Sequence, residues 1–164
     1  MTSFGLITLL ADCRGLTRLF LPGVLLPQDL PASSPKHPVL REAARQLQEY
    51  DTWKRKQFDL ALSPSGTRFQ RLVWQAVTGI PFGSTATYRD IAVQTGDARR
   101  ARAVGAAVRA NPLPIIIPCH RIIGSNGRLT GFSAGIHLKK QLLVHEGIPV
   151  ERNHLLTNRQ EGVV

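Results

Sequence analysis

Between Asn111 and Arg121 the chain reads Asn-Pro-Leu-Pro-Ile-Ile-Ile-Pro-Cys-His-Arg, and this stretch limits the fold more than any other. Three consecutive isoleucines favour a short buried strand. Pro118, with no amide to donate, ends or edges that strand, so Cys119 should stand where the backbone leaves the core. Its sulfur is then held rigidly, between a proline and two residues able to carry positive charge. The thiolate is the reactive form of cysteine, and His120 and Arg121 are expected to lower the pKa that governs it. The alternative is a small buried hydrophobe, the usual state of a free cysteine. Neighbouring residues of an extended chain point to opposite sides. His120 therefore reaches the sulfur only if the backbone turns there, or through a water.

Before this stretch the pattern breaks near residue 64. An apolar run from Phe4 to Ala11, the turn residues Asp12-Cys13-Arg14-Gly15 and a partly alternating run from Leu16 to Leu21 predict two antiparallel strands. Pro22 to Pro38 is rich in proline and serine and reads as a loop. Leu40, Ala43, Ala44, Leu47 and Tyr50 recur with helical spacing over 39–50, and Phe58 to Leu62 is a candidate third strand. Ser63-Pro64-Ser65-Gly66 then divides a structural domain, 1–64, from a second domain, 65–164. Nothing before that boundary suggests chemistry; its strands and helix read as packing.

In the second part Phe69, Leu72, Val73, Ala76 and Val77 form a helical stripe that ends before Pro81-Phe82-Gly83. Thr87-Tyr88-Arg89-Asp90 has the form of a capping box and predicts a helix from 88 to 95, broken by Gly96. Asp97 can cap the next helix, 98–110, which stops at Asn111-Pro112. Two helices joined by a short glycine-containing turn form a helix-turn-helix unit. At about 100° per residue, Arg99, Arg102 and Arg109 fall on one side of the second helix with Ala106 between them, opposite Ala101, Val104 and Val108. A basic side with small residues suits close approach to a nucleic-acid groove; a solvated charged face is the other reading. Past the cysteine, Asn126-Gly127 centres a hairpin over 122–129, and Thr130 to Gly135 is a small-residue loop. A helix with Leu138 and Leu142 follows, stopped by Gly147 after His145-Glu146, and the tail beyond Pro149 reads as poorly ordered.

Charge separates the two parts further. Residues 1–64 carry 8 basic and 6 acidic side chains, net +2, whereas 65–164 carry 13 and 5, net +8. The second part is the one suited to a polyanion. Cys13 and Cys119 are the only cysteines, and a reactive thiol requires a reducing compartment. Apolar runs are too short for a membrane span and the amino terminus lacks a secretory layout. The expectation is a soluble intracellular protein, cytoplasmic or, in a eukaryote, nuclear. Neither His37 nor any other pair gives a metal-ligand pattern, so no metal and no cofactor are expected.

Ile117-Pro118-Cys119-His120-Arg121-Ile122-Ile123, preceded by Asn111-Pro112 and by Ala101-Arg102-Ala103-Val104-Gly105, closely resembles the active-site region of the O6-alkylguanine-DNA alkyltransferases, also called methylated-DNA–protein-cysteine methyltransferases. The likeness is dense from Phe69 to Gly147 and weak before. It implies an α/β (α+β) fold: a small ribonuclease H-like antiparallel sheet with a helix, then a mainly helical, winged-helix-like domain with the helix-turn-helix. It also implies single-turnover, irreversible transfer of the alkyl group from O6-alkylguanine in double-stranded DNA, with O4-alkylthymine a second candidate, onto Cys119. By the same motif match His120 takes the thiol proton through a water, Glu146 orients His120, Tyr88 donates to the leaving base, and Asn111 ties helix to active-site strand. The nucleotide has to be swung out of the stack, entered from the minor groove, with Arg102 in its place. Gln70, Arg89 and Ser125 match positions that contact the DNA backbone; Arg109 is added from its helical face. Ile122, Phe132, Ser133 and Ala134 border the base pocket. Phe132 stands where tyrosine is usual and Ala134 where glycine is usual, which bears on the range of alkyl groups and leaves the nucleophile untouched. The protein is expected to act as a monomer, with cooperative binding along DNA left open. The alternatives are a helix-turn-helix regulator, a damage-flagging protein without transfer, and a cysteine hydrolase.

Overall fold

The structure, a computed structural model, describes residues 2–31 and 36–156. Part of the predicted loop, 32–35, and the end of the predicted tail, 157–164, lie outside the described residues. The fold is α+β, with five α-helices and three two-stranded sheets among the described residues. No helix among them is long and apolar enough to cross a membrane.

Strands β1 (Thr8–Asp12) and β2 (Gly15–Phe20) pair antiparallel, Thr8 opposite Phe20. Asp12 makes their turn, its Oδ1 accepting from the amides of Arg14 at 2.8 Å and Gly15 at 2.9 Å. Cys13 is exposed at the tip. Helix α1 (Pro38–Asp51) lies against this hairpin with Ala43, Leu47 and Tyr50 buried. Ala44, expected in the stripe, is exposed, and Gln46 is buried instead. Its amide grips Asp59 from both ends, Nε2 to the carbonyl at 2.7 Å and Oε1 from the amide at 2.9 Å. Phe58 to Leu62 therefore does not form the expected third strand. A side chain of α1 takes both backbone groups of Asp59, and one parallel bridge from Leu62 to Leu16 is what remains.

Helix α2 (Arg68–Thr78) opens on a capping box between Thr67 and Gln70. Val73, Trp74 and Val77 face inward, while Leu72, expected in the stripe, is 45% exposed. Trp74 takes the inward place because its indole finds an acceptor, Nε1 donating to the Ala107 carbonyl at 2.8 Å. Strand β3 (Ala86–Thr87) leads into α3 (Tyr88–Gln94), whose Thr87–Asp90 capping box is formed as expected. The predicted helix over 98–110 begins as a 3-10 turn at Ala98–Arg100, capped by Asp97, and continues as α4 (Ala101–Arg109).

Strand β4 (Ile122–Ile123) pairs in parallel with β3, Ala86 with Ile122 and Thr87 with Ile123. The Asn126-Gly127 turn exists, closed by Gly124 N to Arg128 O at 2.9 Å, but its flanks pair elsewhere and not with each other: Ile122–Ile123 with β3, and Arg128 with His154. Helix α5 (Gly135–His145) follows. The start of the tail is ordered: β5 (Val150–Glu151) and β6 (His154–Leu155) pair through Arg152-Asn153, whose φ values of 44° and 64° suit a two-residue I′ turn. Leu129 N donates to Asn153 O at 2.8 Å, which fastens this hairpin beside the Asn126-Gly127 turn. One cluster of buried side chains, Leu16 to Leu142 in sequence, includes residues from both sides of position 64.

Candidate active site

The isoleucines are buried as expected, at 1% to 4% exposure, but they are not a strand. Leu113 to Ile117 is a turn closed by Ile117 N to Leu113 O at 2.8 Å, with Ile115 at φ 74°. A β-branched residue in that region costs about 1–3 kcal/mol and persists only where its surroundings enforce it. Asn111 supplies part of that enforcement, its Nδ2 donating to the Ile117 carbonyl at 2.8 Å and its Oδ1 accepting from the Leu113 amide at 3.0 Å. Pro118, at φ −79° and ψ 62°, is the centre of an inverse γ-turn in which Cys119 N donates to Ile117 O at 2.7 Å. The chain then enters a 3-10 turn, Cys119–Arg121, where successive side chains are a third of a turn apart. The backbone does turn at Cys119, but it does not leave the core there as expected: His120 to Ile123 are all buried.

Behind the cysteine lies a buried polar cluster centred on Glu146, at the C-terminal end of α5. His120 Nε2 meets Glu146 Oε1 at 2.8 Å, and Arg121 reaches both oxygens, Nε to Oε2 at 2.8 Å and Nη2 to Oε1 at 2.9 Å. Tyr50 donates to Oε1 at 2.8 Å and Gly83 N to Oε2 at 3.3 Å. Burial pushes the Glu146 carboxyl up, yet the donors from His120 and Arg121 outweigh it and hold the pKa at about 2. Burial pushes the His120 imidazole down against the pull of Glu146, so the ring is neutral. A carboxylate only accepts, which places the imidazole proton on Nε2 and leaves Nδ1 as the basic nitrogen. Nδ1 is buried and has no hydrogen-bond partner among the described residues.

Two electrostatic expectations are corrected here. The Cys119 thiol pKa is raised, not lowered, because burial outweighs the hydrogen bond from Asn111 and the charge of Lys139. Arg121 turns away from the sulfur to Glu146 and donates its Nη1 to the Ile80 carbonyl at 2.6 Å, since a buried guanidinium needs an anion and Glu146 is the one within reach. The cation that does act on Cys119 is Lys139 of α5, fully buried, its Nζ bonded to the carbonyls of Ile122 and, at 2.7 Å, Thr130. Burial lowers its pKa to about 8, with the Cys119 charge opposing. Sequence reading missed Lys139, although a lysine between Leu138 and Leu142 on an apolar helix face is a usable signal. Tyr50 carries no such signal, because its partner is 96 residues away.

In front of Cys119 is an open cavity of about 900 Å³. Cys119, Asn111, Tyr88, Arg102, Arg109, Phe132 and Ser133 line it, with Gly105, Ala106, Val108, Thr130 and Gly131. Tyr88 lies over Gly105, where a Cβ would stand 3.8 Å from its ring, and Thr130 Oγ1 donates to the Tyr88 hydroxyl at 3.3 Å. Ile122 and Ala134 are not among the lining residues: Ile122 is fully buried in β4. Arg89 and Ser125 border a neighbouring groove of about 450 Å³ with Arg99, on the other side of Tyr88. Gln70 stands apart from both, its side-chain oxygen engaged by the Thr67 amide at 2.8 Å.

A buried thiol thus opens on a cavity walled in part by the arginine-bearing helix α4, and comparison with known proteins places such a chain among DNA-binding proteins. A family profile described as 6-O-methylguanine DNA methyltransferase, DNA binding domain, matches residues 68–148. A methylated-DNA–protein-cysteine methyltransferase of Methanosarcina barkeri is 55% identical over 103 residues, 63% of this chain and just under two thirds, 65%, of that one. Its counterpart in Methanosarcina mazei is 42% identical over 142 residues, 84% and 87% of the two chains. The chain belongs to the methylated-DNA–protein-cysteine methyltransferase family. Among solved structures, Mycobacterium tuberculosis O6-methylguanine methyltransferase superposes with a TM-score of 0.79 at 39% identity, 88% of each chain covered. The same protein in complex with DNA gives 0.80 at 38%, with 90% of each covered.

Proposed function

We propose that the protein repairs DNA by moving the alkyl group of O6-alkylguanine onto Cys119, once per molecule. The observation that carries this is that Cys119 lines an open cavity while His120, next to it in the chain and fully buried away from that cavity, is oriented by a carboxylate. His120 Nδ1 takes the thiol proton through a water, and Glu146 stabilises the imidazolium that results. Lys139 offsets the burial that keeps the thiol protonated at rest. The thiolate attacks the alkyl carbon; a carbon–sulfur bond forms as the carbon–O6 bond breaks, and the electron pair leaves on guanine. Tyr88, its oxygen already accepting from Thr130, has its own proton free for that departing base.

A base in duplex DNA does not reach a sulfur at the back of such a cavity, so the nucleotide is swung out from the minor groove, with Arg102 filling the gap. Arg89, Ser125 and Gln70 hold the backbone, and Arg109 adds charge at the cavity wall. Phe132 and Ser133 border the bound base. The same reading extends to the fold and its setting: a ribonuclease H-like part before residue 64, a winged-helix-like part after it, and a monomer in a reducing compartment.

Mass measurement after incubation with O6-methylguanine duplex tests the reading. One methyl group per chain, on Cys119, with no second turnover is the expected result. An unmodified mass with retained DNA binding would overturn it in favour of damage flagging without transfer.

A further inference from the structure

The N-terminal part, which reads in sequence as packing, delivers a hydroxyl to the middle of the relay. Tyr50, in the last turn of α1, donates to Glu146 Oε1 at 2.8 Å, the same oxygen that meets His120 Nε2 at 2.8 Å. The phenol keeps its proton, since burial and then the Glu146 charge push its pKa up. Its ring is caged by His145, Phe58, Phe82 and Phe4, with centroids 5.0, 5.5, 6.1 and 6.2 Å away. A second grip lies one residue before Glu146. Trp53 Nε1 donates to His145 Nδ1 at 3.0 Å; the other nitrogen, Nε2, then carries the hydrogen and gives it to the Tyr50 carbonyl at 2.9 Å. Two consecutive residues at the end of α5 are thus held by the end of α1.

Arg121 cannot replace this tie. It shares the 119–121 turn with His120, so a shift of that turn carries both residues together. Gly83 N reaches only the other oxygen, at 3.3 Å. Tyr50 is the donor to Oε1 from outside that turn among the described residues. We propose that Tyr50 is a positioning residue for alkyl transfer, its hydroxyl fixing the His120-facing oxygen of Glu146 and through it the imidazole that accepts the Cys119 proton. This rests on the functional reading above and makes the N-terminal part a component of the site.

Single-turnover transfer from O6-methylguanine duplex tests it in four full-length proteins: wild type, Tyr50→Phe, His120→Ala and the double variant. Tyr50→Phe keeps the ring in its cage and removes one hydrogen bond to a charged group. The rate at saturating DNA should fall about three- to tenfold, while the half-saturating DNA concentration is unchanged. In the His120→Ala background, where the relay is already broken, the same change should alter the rate by less than about twofold. Equal losses in both backgrounds, or no loss in either, would overturn the positioning role while leaving wild-type transfer intact. An unmethylated wild-type protein would instead overturn the functional reading, and this inference with it.

Discussion

The two sides of Cys119 are built on opposite rules. Behind it, Glu146 gathers donors from α1, from the amide of Gly83 and from the 119–121 turn, and His120 and Glu146 have no exposed side-chain surface. In front, Arg102 and Arg109 carry exposed side chains on the cavity wall, and neither has an acidic partner among the described residues. The rear is fixed by folding; the front is left for a ligand to satisfy. A proton relay needs atoms held in place before substrate arrives, whereas a surface that scans DNA needs charges free to meet phosphates wherever they lie.

This contrast sets the order of effects. Cys119→Ala, at the junction, should abolish transfer outright and leave DNA affinity within about twofold, measured by gel shift and mass, because the phosphate contacts are elsewhere. Glu146→Gln, at the rear, should slow transfer by about 10² and cost about 3–5 kcal/mol in urea unfolding, since it strands the buried Arg121 guanidinium. The same carboxyl makes stability pH-dependent. With a folded pKa of about 2 against 4.5 unfolded, its contribution is whole above pH 4.5 and is lost as pH falls toward 2, a trend for acid titration to check. If Glu146→Gln unfolded no more easily than wild type, the rear would not be the rigid half.

Arg102→Ala, at the front, should slow repair in duplex by about tenfold or more while changing reaction with free O6-alkylguanine less than about twofold. Equal loss on both substrates would erase the distinction between the two sides. Lys139→Met should move the pH midpoint of Cys119 alkylation by iodoacetamide upward, since the cation acting on the thiol is removed and burial remains. Phe132→Tyr should have the smallest effect, under about threefold on a methyl group and larger on bulkier groups, read by competition between substrates.

How far the sequence foretold these two sides depends on how local each feature is. The Thr87–Asp90 box and the arginine face of α4 are written in neighbouring residues and are legible there. Phe58 to Leu62 has the composition of a strand, and only Gln46, thirteen residues before Asp59, shows why it is not one. The three isoleucines read as a strand because propensity does not see Ile115 held at positive φ by the turn around it. Proximity in sequence puts Arg121 beside the thiol, yet a buried cation goes to the available anion, here 25 residues away. Long-range polar partners, and with them the direction of the Cys119 pKa shift, come from packing alone.

Asn111 has a mechanical consequence. The oxygen of its amide holds the first residue of the turn and the nitrogen holds the last, the residue before Pro118, directly beyond the end of α4. The rod that would press into a duplex and the bend that presents the sulfur are therefore joined by a strut a single side chain long. Under the proposed function, a duplex that seats the rod correctly would through this strut also bring the sulfur into register.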